Sequence, residues 1–183
     1  MFGLIGEKNK LRVYDSFDRA NSNVSVGVAD TGQVWGIYGA DIVYGISSNQ
    51  LYKVSGADTG GVFSDVGISD FIAFCTLSVF SQLQRIRFRF KDEINTLTAI
   101  AAGAYYTIYR NVDGVSTSIA TFAQVPQSGD KVKVKAKGSN IKLYVNDIEI
   151  LSVNENAHIG ATRIALNTNN LDARYNDFKV EAL

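Results

Sequence analysis

The sequence predicts an all-β domain, a two-sheet antiparallel β-sandwich. Three observations carry this expectation. Residues 131–151, KVKVKAKGSNIKLYVNDIEIL, run through three alternating stretches broken at Gly138-Ser139-Asn140 and at Asn146-Asp147. Alternation with two tight turns makes a β-meander with one wet face and one dry face. The same grammar recurs along the chain, giving about a dozen strands at the even spacing of sandwiches. No segment carries helical periodicity beyond one or two turns. At 183 residues the chain is long enough for a single core and one domain. One proline and sixteen glycines leave the turns to Gly, Asn, Asp and Ser. Nine tyrosines and ten phenylalanines suit pleated, half-buried strands.

Residues 1–10, MFGLIGEKNK, precede the first strand signal and are expected to form an N-terminal arm, with the sandwich over 11–183. LRVYDSF (11–17) is a first strand and DRANSNVSVG (18–27) a polar loop. Asp30-Thr31-Gly32 turns the chain into a strand over 33–37. IVYGI (42–46) and QLYKV (50–54) form a hairpin across Ser47-Ser48-Asn49. Ala-Asp-Thr-Gly occurs at 29–32 and again at 57–60, either as two similar turn-to-strand entries or as a trace of duplication.

DFIAFCTLSVF (70–80) is apolar at both parities, as a central strand requires. QRIRFRFKD (84–92) alternates, which places Ile86, Phe88 and Phe90 inward and Arg85, Arg87, Arg89 and Lys91 outward. A helix would scatter those cations around its circumference. Residues 96–102, 104–110 and 115–123 continue the pattern, with a turn at Asn111-Val112-Asp113-Gly114. After the meander, TRIALNT (162–168) and ARYNDFKVEAL (173–183) are the closing strands, separated by Asn169-Asn170.

Eighteen basic residues balance eighteen acidic ones. A neutral chain has no general attraction to nucleic acid or anionic lipid, so neither is an expected partner. The apolar stretches are interrupted by Thr, Ser and Gly and are too short to span a bilayer. The first residues lack the basic-then-apolar order of a signal peptide. The single cysteine, Cys75, lies in an apolar run and reads as a buried, inert thiol, compatible with assembly in a reducing cytoplasm.

Catalytic signatures are missing. A Ser-His-Asp triad or a zinc site would depend on His158 alone, and no Gly-x-Ser-x-Gly elbow accompanies it. No phosphate loop ends in Lys-Ser/Thr. No cofactor is expected. A calcium site would have to draw on Asp30, Asp58, Asp65, Asp70 or Asp113, which lack dense Asp-x-Asp spacing. Two cationic stripes, Arg85/Arg87/Arg89/Lys91 and Lys131/Lys133/Lys135/Lys137, read either as solvated strand faces or, if they share one surface, as a polyanion site.

Sugar rings pack their apolar C–H faces on Tyr or Trp, so exposed aromatics are the candidates for carbohydrate contact. Tyr105 and Tyr109 share one face of a strand and Tyr106 takes the other. The candidate carbohydrate-binding set is Tyr105, Tyr109, Tyr106, Arg87 and Arg89. Trp35 is expected in the core.

Several segments resemble a known superfamily. DSFDRANS with ADTGQVW, GDKVKVKAKGSNIKLYVNDIEIL and IGATRIALNTNNLDARYNDFKV resemble, in that order, concanavalin A-like lectin/glucanase domains of the laminin-G-like branch. The opening is similar to lectin-like domains of bacteriophage tail and virion proteins. Asn146-Asp147 stands where the superfamily has Asn-Gly, and Asp177, Phe178 and Val180 match its last strand.

The resemblance implies a jelly-roll sandwich. It also implies a non-enzymatic protein of the bacteriophage virion surface, on tail or capsid, that contacts host-surface saccharide. Other virion proteins are its implied neighbours, and a homo-oligomer stays open. A purely structural decoration protein without glycan binding is the alternative, and a glucanase-like hydrolase the third reading. The Glu-x-Asp-x-Glu strand of the superfamily's glucanases is absent here, which disfavours hydrolysis.

Overall fold

The computed structural model describes residues 10–183. It contains fifteen strands and no helix among those residues. They are β1 (Leu11–Asp15), β2 (Gly36–Tyr38), β3 (Val43–Ser47), β4 (Gln50–Ser55), β5 (Gly61–Asp65), β6 (Phe71–Val79), β7 (Leu83–Asp92) and β8 (Asn95–Ala102). Then come β9 (Tyr105–Val112), β10 (Val115–Ala123), β11 (Asp130–Lys137), β12 (Asn140–Val145), β13 (Ile148–Asn154), β14 (Arg163–Thr168) and β15 (Arg174–Ala182).

Two antiparallel sheets face each other, the predicted sandwich. One runs β13-β12-β11-β6-β15-β4-β3, with β1 pairing alongside β15. The other runs β10-β9-β8-β7-β14-β5-β2. β6 is central, as its apolar residues at both parities require. The meander forms β11–β12–β13, and its second turn holds Asn146 and Asp147 at positive φ (51° and 67°), the I′ geometry that closes a tight hairpin. Ser48 and Asn49 do the same between β3 and β4. Both Ala-Asp-Thr-Gly copies are turns; the strands after them, β2 and β5, pair side by side. The strand expected over 33–37 is shorter and later, at Gly36–Tyr38.

The expected N-terminal arm, 1–10, lies outside the described residues except for Lys10, whose carbonyl accepts the amide of Ala182 (2.7 Å).

The core lies between the sheets. Phe71 of β6 meets Phe88 of β7 edge-on at 6.3 Å, a favoured aromatic geometry. Trp35 is buried there as expected, between Phe17 (5.9 Å) and Phe178 (5.3 Å). Cys75 is also buried, and burial pushes its thiol well above the ordinary range, so little thiolate forms.

One expectation fails in β7. Ile86 and Phe88 face the core, but Arg89 has φ +47° and the register with β8 breaks beyond Phe88. This is a β-bulge, which reverses the parity of the residues after it. Arg89 is fully buried rather than outward, donating to the Gly138 carbonyl with Asp70 at 3.6 Å. Phe90 turns to the opposite face, against Tyr38 at 4.7 Å and Phe63 at 6.0 Å.

Tyr106 also lies in the core, not on the surface. Its hydroxyl donates to Asp130 Oδ2 (2.6 Å), which also accepts the Gln127 amide (2.8 Å), while Asp130 Oδ1 accepts from Asn146 Nδ2 (2.8 Å). This ties β9 of one sheet to the start of β11 in the other. Tyr106→Phe removes a bond to a buried charged acceptor. It should lower unfolding free energy by about 1–2 kcal/mol, measured by denaturant titration of Trp35 fluorescence.

Candidate functional site

The solvent face of the seven-stranded sheet carries the candidate site. Strand alternation sends Arg85 and Arg87 of β7, Thr98 and Ile100 of β8, and Tyr105, Tyr109 and Asn111 of β9 to that face. Consecutive hairpins make these strands neighbours. Two rows of side chains result. One runs Tyr109–Thr98–Arg87–Ala165, the other Thr107–Ile100–Arg85–Asn167. Long side chains on β7 and β9 flank short ones on β8, where Thr98 is buried and Ala102 pairs with Tyr105. The contrast in length leaves a trough of about 290 Å³. Its walls stand two strands apart, about 10 Å, enough for a sugar ring laid between them.

The residues differ in what they offer. Tyr105 is 39% exposed and Tyr109 half-buried, each with a ring bordering the trough. Ile100 supplies an apolar floor. Asn111 has a buried Oδ1 with no hydrogen-bond partner among the described residues, and its backbone carbonyl is taken by His158 Nε2 at 2.7 Å. His158 is half-buried, and this bond makes it a contact between its loop and β9.

Of the predicted set, the structure brings Tyr105, Tyr109 and Arg87 together. Tyr106 faces the core because its parity is opposite, and Arg89 is carried away by the bulge. The predicted set lacked Arg85, Asn111, Thr98 and Ser116, which also line the trough. Arg85 and Asn111 could have been found two residues from Arg87 and Tyr109, on the same face. Ser116 needed the β9–β10 register, in which it sits opposite Asn111.

A second hollow, about 500 Å³, lies on the same face beyond Arg87. Ile37, Tyr38, Phe63, Phe90, Ile94 and Arg163 border it. Arg163 stacks over Phe63 (5.3 Å) and Phe90 (5.2 Å), and Arg87 over Tyr38 (5.4 Å). Burial pushes the Tyr38 hydroxyl up to about 12, and it has no hydrogen-bond partner among the described residues.

The two cationic stripes do not share a surface. Lys131, Lys133 and Lys135 belong to β11 of the other sheet. Lys133 pairs with Asp147 (2.6 Å), while Lys142 of neighbouring β12 pairs with Glu149 (2.8 Å).

The loop aspartates are dispersed among local duties. Asp30 accepts from Ser16, Asp58 from Lys53, Asp65 from Thr162 and Asp70 from the Gly138 amide. Among the described residues no three His, Cys, Asp or Glu side chains gather as metal ligands.

No family model matches the chain, and no curated protein matches it. Solved structures do. The carbohydrate-binding module CBM66 from Bacillus subtilis aligns at 14% identity with a TM-score of 0.53, over 94% of this chain and 97% of that one. Domain 4 of AbnA, an extracellular arabinanase from Geobacillus stearothermophilus solved with arabinotriose, aligns at 13% identity with a TM-score of 0.63, over 94% and 92%. Galectin LEC-6 from Caenorhabditis elegans aligns at 15% identity with a TM-score of 0.53, over 66% and 89%. At such identities the likeness establishes the fold: the chain has the lectin-type jelly-roll sandwich.

Proposed function

We propose that this chain is a non-enzymatic saccharide-binding domain that engages its ligand on the solvent face of the seven-stranded sheet. The observation that carries the reading is the trough between Tyr105/Tyr109 and Arg85/Arg87, with aromatic rings on one wall and hydrogen-bond donors on the other. That pairing suits the two faces of a sugar, apolar C–H and polar hydroxyl. The carbohydrate-binding module and the galectin that share its fold support the reading. The proposal includes a virion surface, tail or capsid, as the domain's location; the resemblance of its opening segment to bacteriophage lectin-like domains supports that part. Assembly is then in the host cytoplasm, with host-surface saccharide and other virion proteins as partners.

The test is binding of the purified chain to an array of glycans and bacterial cell-wall polysaccharides, with and without calcium. Saturable binding to one saccharide class, indifferent to calcium, is the expected result, because among the described residues no carboxylate lines the trough. No binding, even with the chain displayed multivalently, would move the assignment to a structural decoration protein.

A further inference from the structure

We infer that the saccharide this trough takes is anionic, its acidic group received by the guanidinium of Arg85 beside that of Arg87. The inference rests on the saccharide-binding reading and adds the ligand's charge.

Arg85 and Arg87 lie two residues apart on one strand face, about 7 Å between their Cα atoms. Both are withdrawn from water: Arg87 is 6% exposed, and Arg85 is largely covered. Neither joins an ion pair among the described residues, whereas Lys133, Lys142 and Lys179 on the opposite sheet all do. Among the described residues the hydrogen bonds of the Arg87 guanidinium go to neutral backbone carbonyls. Its Nη1 donates to the Glu93 carbonyl (3.1 Å), its Nη2 to the Thr59 carbonyl (3.5 Å), and its Nε has no partner among the described residues. The Arg85 guanidinium makes no hydrogen bond among the described residues, and its Nη1 is buried without a partner. The charges bearing on it are Arg87 and the hydroxyls of Tyr175, Tyr38 and Tyr44, with no carboxylate among them. Its pKa is drawn down, first by burial and then by Arg87.

Two adjacent, desolvated guanidinium groups without a counter-ion are costly in the free protein. An oxyanion ligand relieves that cost. The planar donor fork of arginine suits a carboxylate, sulfate or phosphate oxygen pair. The trough has the rest of a saccharide site around it, with Tyr105 and Tyr109 across the floor. Acidic saccharides therefore fit where neutral ones leave both charges unanswered. Uronates, sialosides, sulfated glycans and glycerol-phosphate polymers share this chemistry.

The test is an array that pairs each acidic saccharide with its neutral counterpart: oligouronates with their methyl esters, sialosides with the desialylated glycan, sulfated with desulfated. A glycerol-phosphate polymer forms a separate arm. Hits should fall on acidic members, at least about tenfold above their neutral partners, the worth of one charge-assisted hydrogen bond, and should weaken with added salt. Arg85→Gln should lower affinity for the acidic hit about tenfold, and Arg85→Lys by less. The melting temperature of free Arg85→Gln should hold or rise, because an uncompensated charge is gone.

Equal binding of neutral counterparts, or an unchanged affinity in Arg85→Gln, would overturn the inference while leaving saccharide binding in place. A melting temperature lowered by the glutamine substitution would make Arg85 a structural group and likewise overturn it. An array silent toward both acidic and neutral members would overturn the inference and the saccharide reading together.

Discussion

Asp15→Ala should lower the unfolding free energy by about 3–5 kcal/mol, the range for a buried charge network that loses one partner. Asp15 is fully buried at the end of β1. Its Oδ2 accepts from Trp35 Nε1 at 2.6 Å. Its Oδ1 accepts from the Phe17 amide at 2.8 Å and from the Arg19 guanidinium. Arg19 in turn donates to the Val28 carbonyl, so one carboxylate organises the long loop between β1 and β2. Phe17 holds φ +58°, uncommon for a residue with a side chain, and the Asp15 bond fixes that turn. Removing the carboxylate leaves the indole N–H and an amide buried without acceptors, besides an unpaired guanidinium. Asp15→Asn keeps the shape but places an N–H₂ toward one of those donors, so it should recover only part of the loss. Denaturant unfolding tracked by Trp35 fluorescence reads both variants. A loss below about 1 kcal/mol, the value of an exposed pair, would mean that the loop is held by its apolar contacts with Phe178 instead.

How much of this was legible beforehand depends on where strict alternation holds. The meander, the β3–β4 hairpin and central β6 come from polarity and turn residues alone: the first two pair sequence neighbours, and β6 buries Phe71, Ala73, Cys75 and Leu77 in the core with Ile72 and Phe74 half-buried on its other face. The Asp15 network was not legible. It joins residues twenty positions apart across a loop in which no local pattern marks the partners. The bulge at Arg89 was hidden for a different reason. RIRFRFKD alternates without interruption, and no Gly marks the reversal. The cause is tertiary: Asp70 and the Gly138 carbonyl hold the Arg89 guanidinium, and Tyr38 and Phe63 receive Phe90 on the other face. Half of the trough was visible, because Tyr105 and Tyr109 share a parity and Arg87 lies two hairpin strands away. Asn167 reaches its place beside Arg85 only because β14 inserts next to β7 from far along the chain, which no local pattern discloses.

Replacing Tyr105 and Tyr109 together by Ala should cut saccharide affinity on the order of 1,000-fold, since aromatic anchors of a binding site are worth about 2 kcal/mol each. The fold should tolerate the change, for Tyr105 is 39% exposed and Tyr109 only half-buried. Tyr106→Ala supplies the contrast within the same strand. Its ring is 1% exposed and part of the inter-sheet core, so that variant should lose about 3–5 kcal/mol of stability, with any fall in binding tracking the unfolded fraction. The double phenylalanine variant separates stacking from hydrogen bonding. If ring faces hold the sugar, Tyr105→Phe with Tyr109→Phe should retain most of the affinity. Isothermal titration at matched folded concentration measures all three. Undiminished binding by the double alanine variant would remove this trough from the site. It would direct attention to the opposite sheet, where Tyr14, Phe74, Lys131 and Lys179 border a hollow of about 310 Å³. That outcome would also separate the two sheets chemically, because the lysine side already carries its own acids, among them Asp147, Glu149 and Glu181, and among the described residues the walls of the arginine trough carry none.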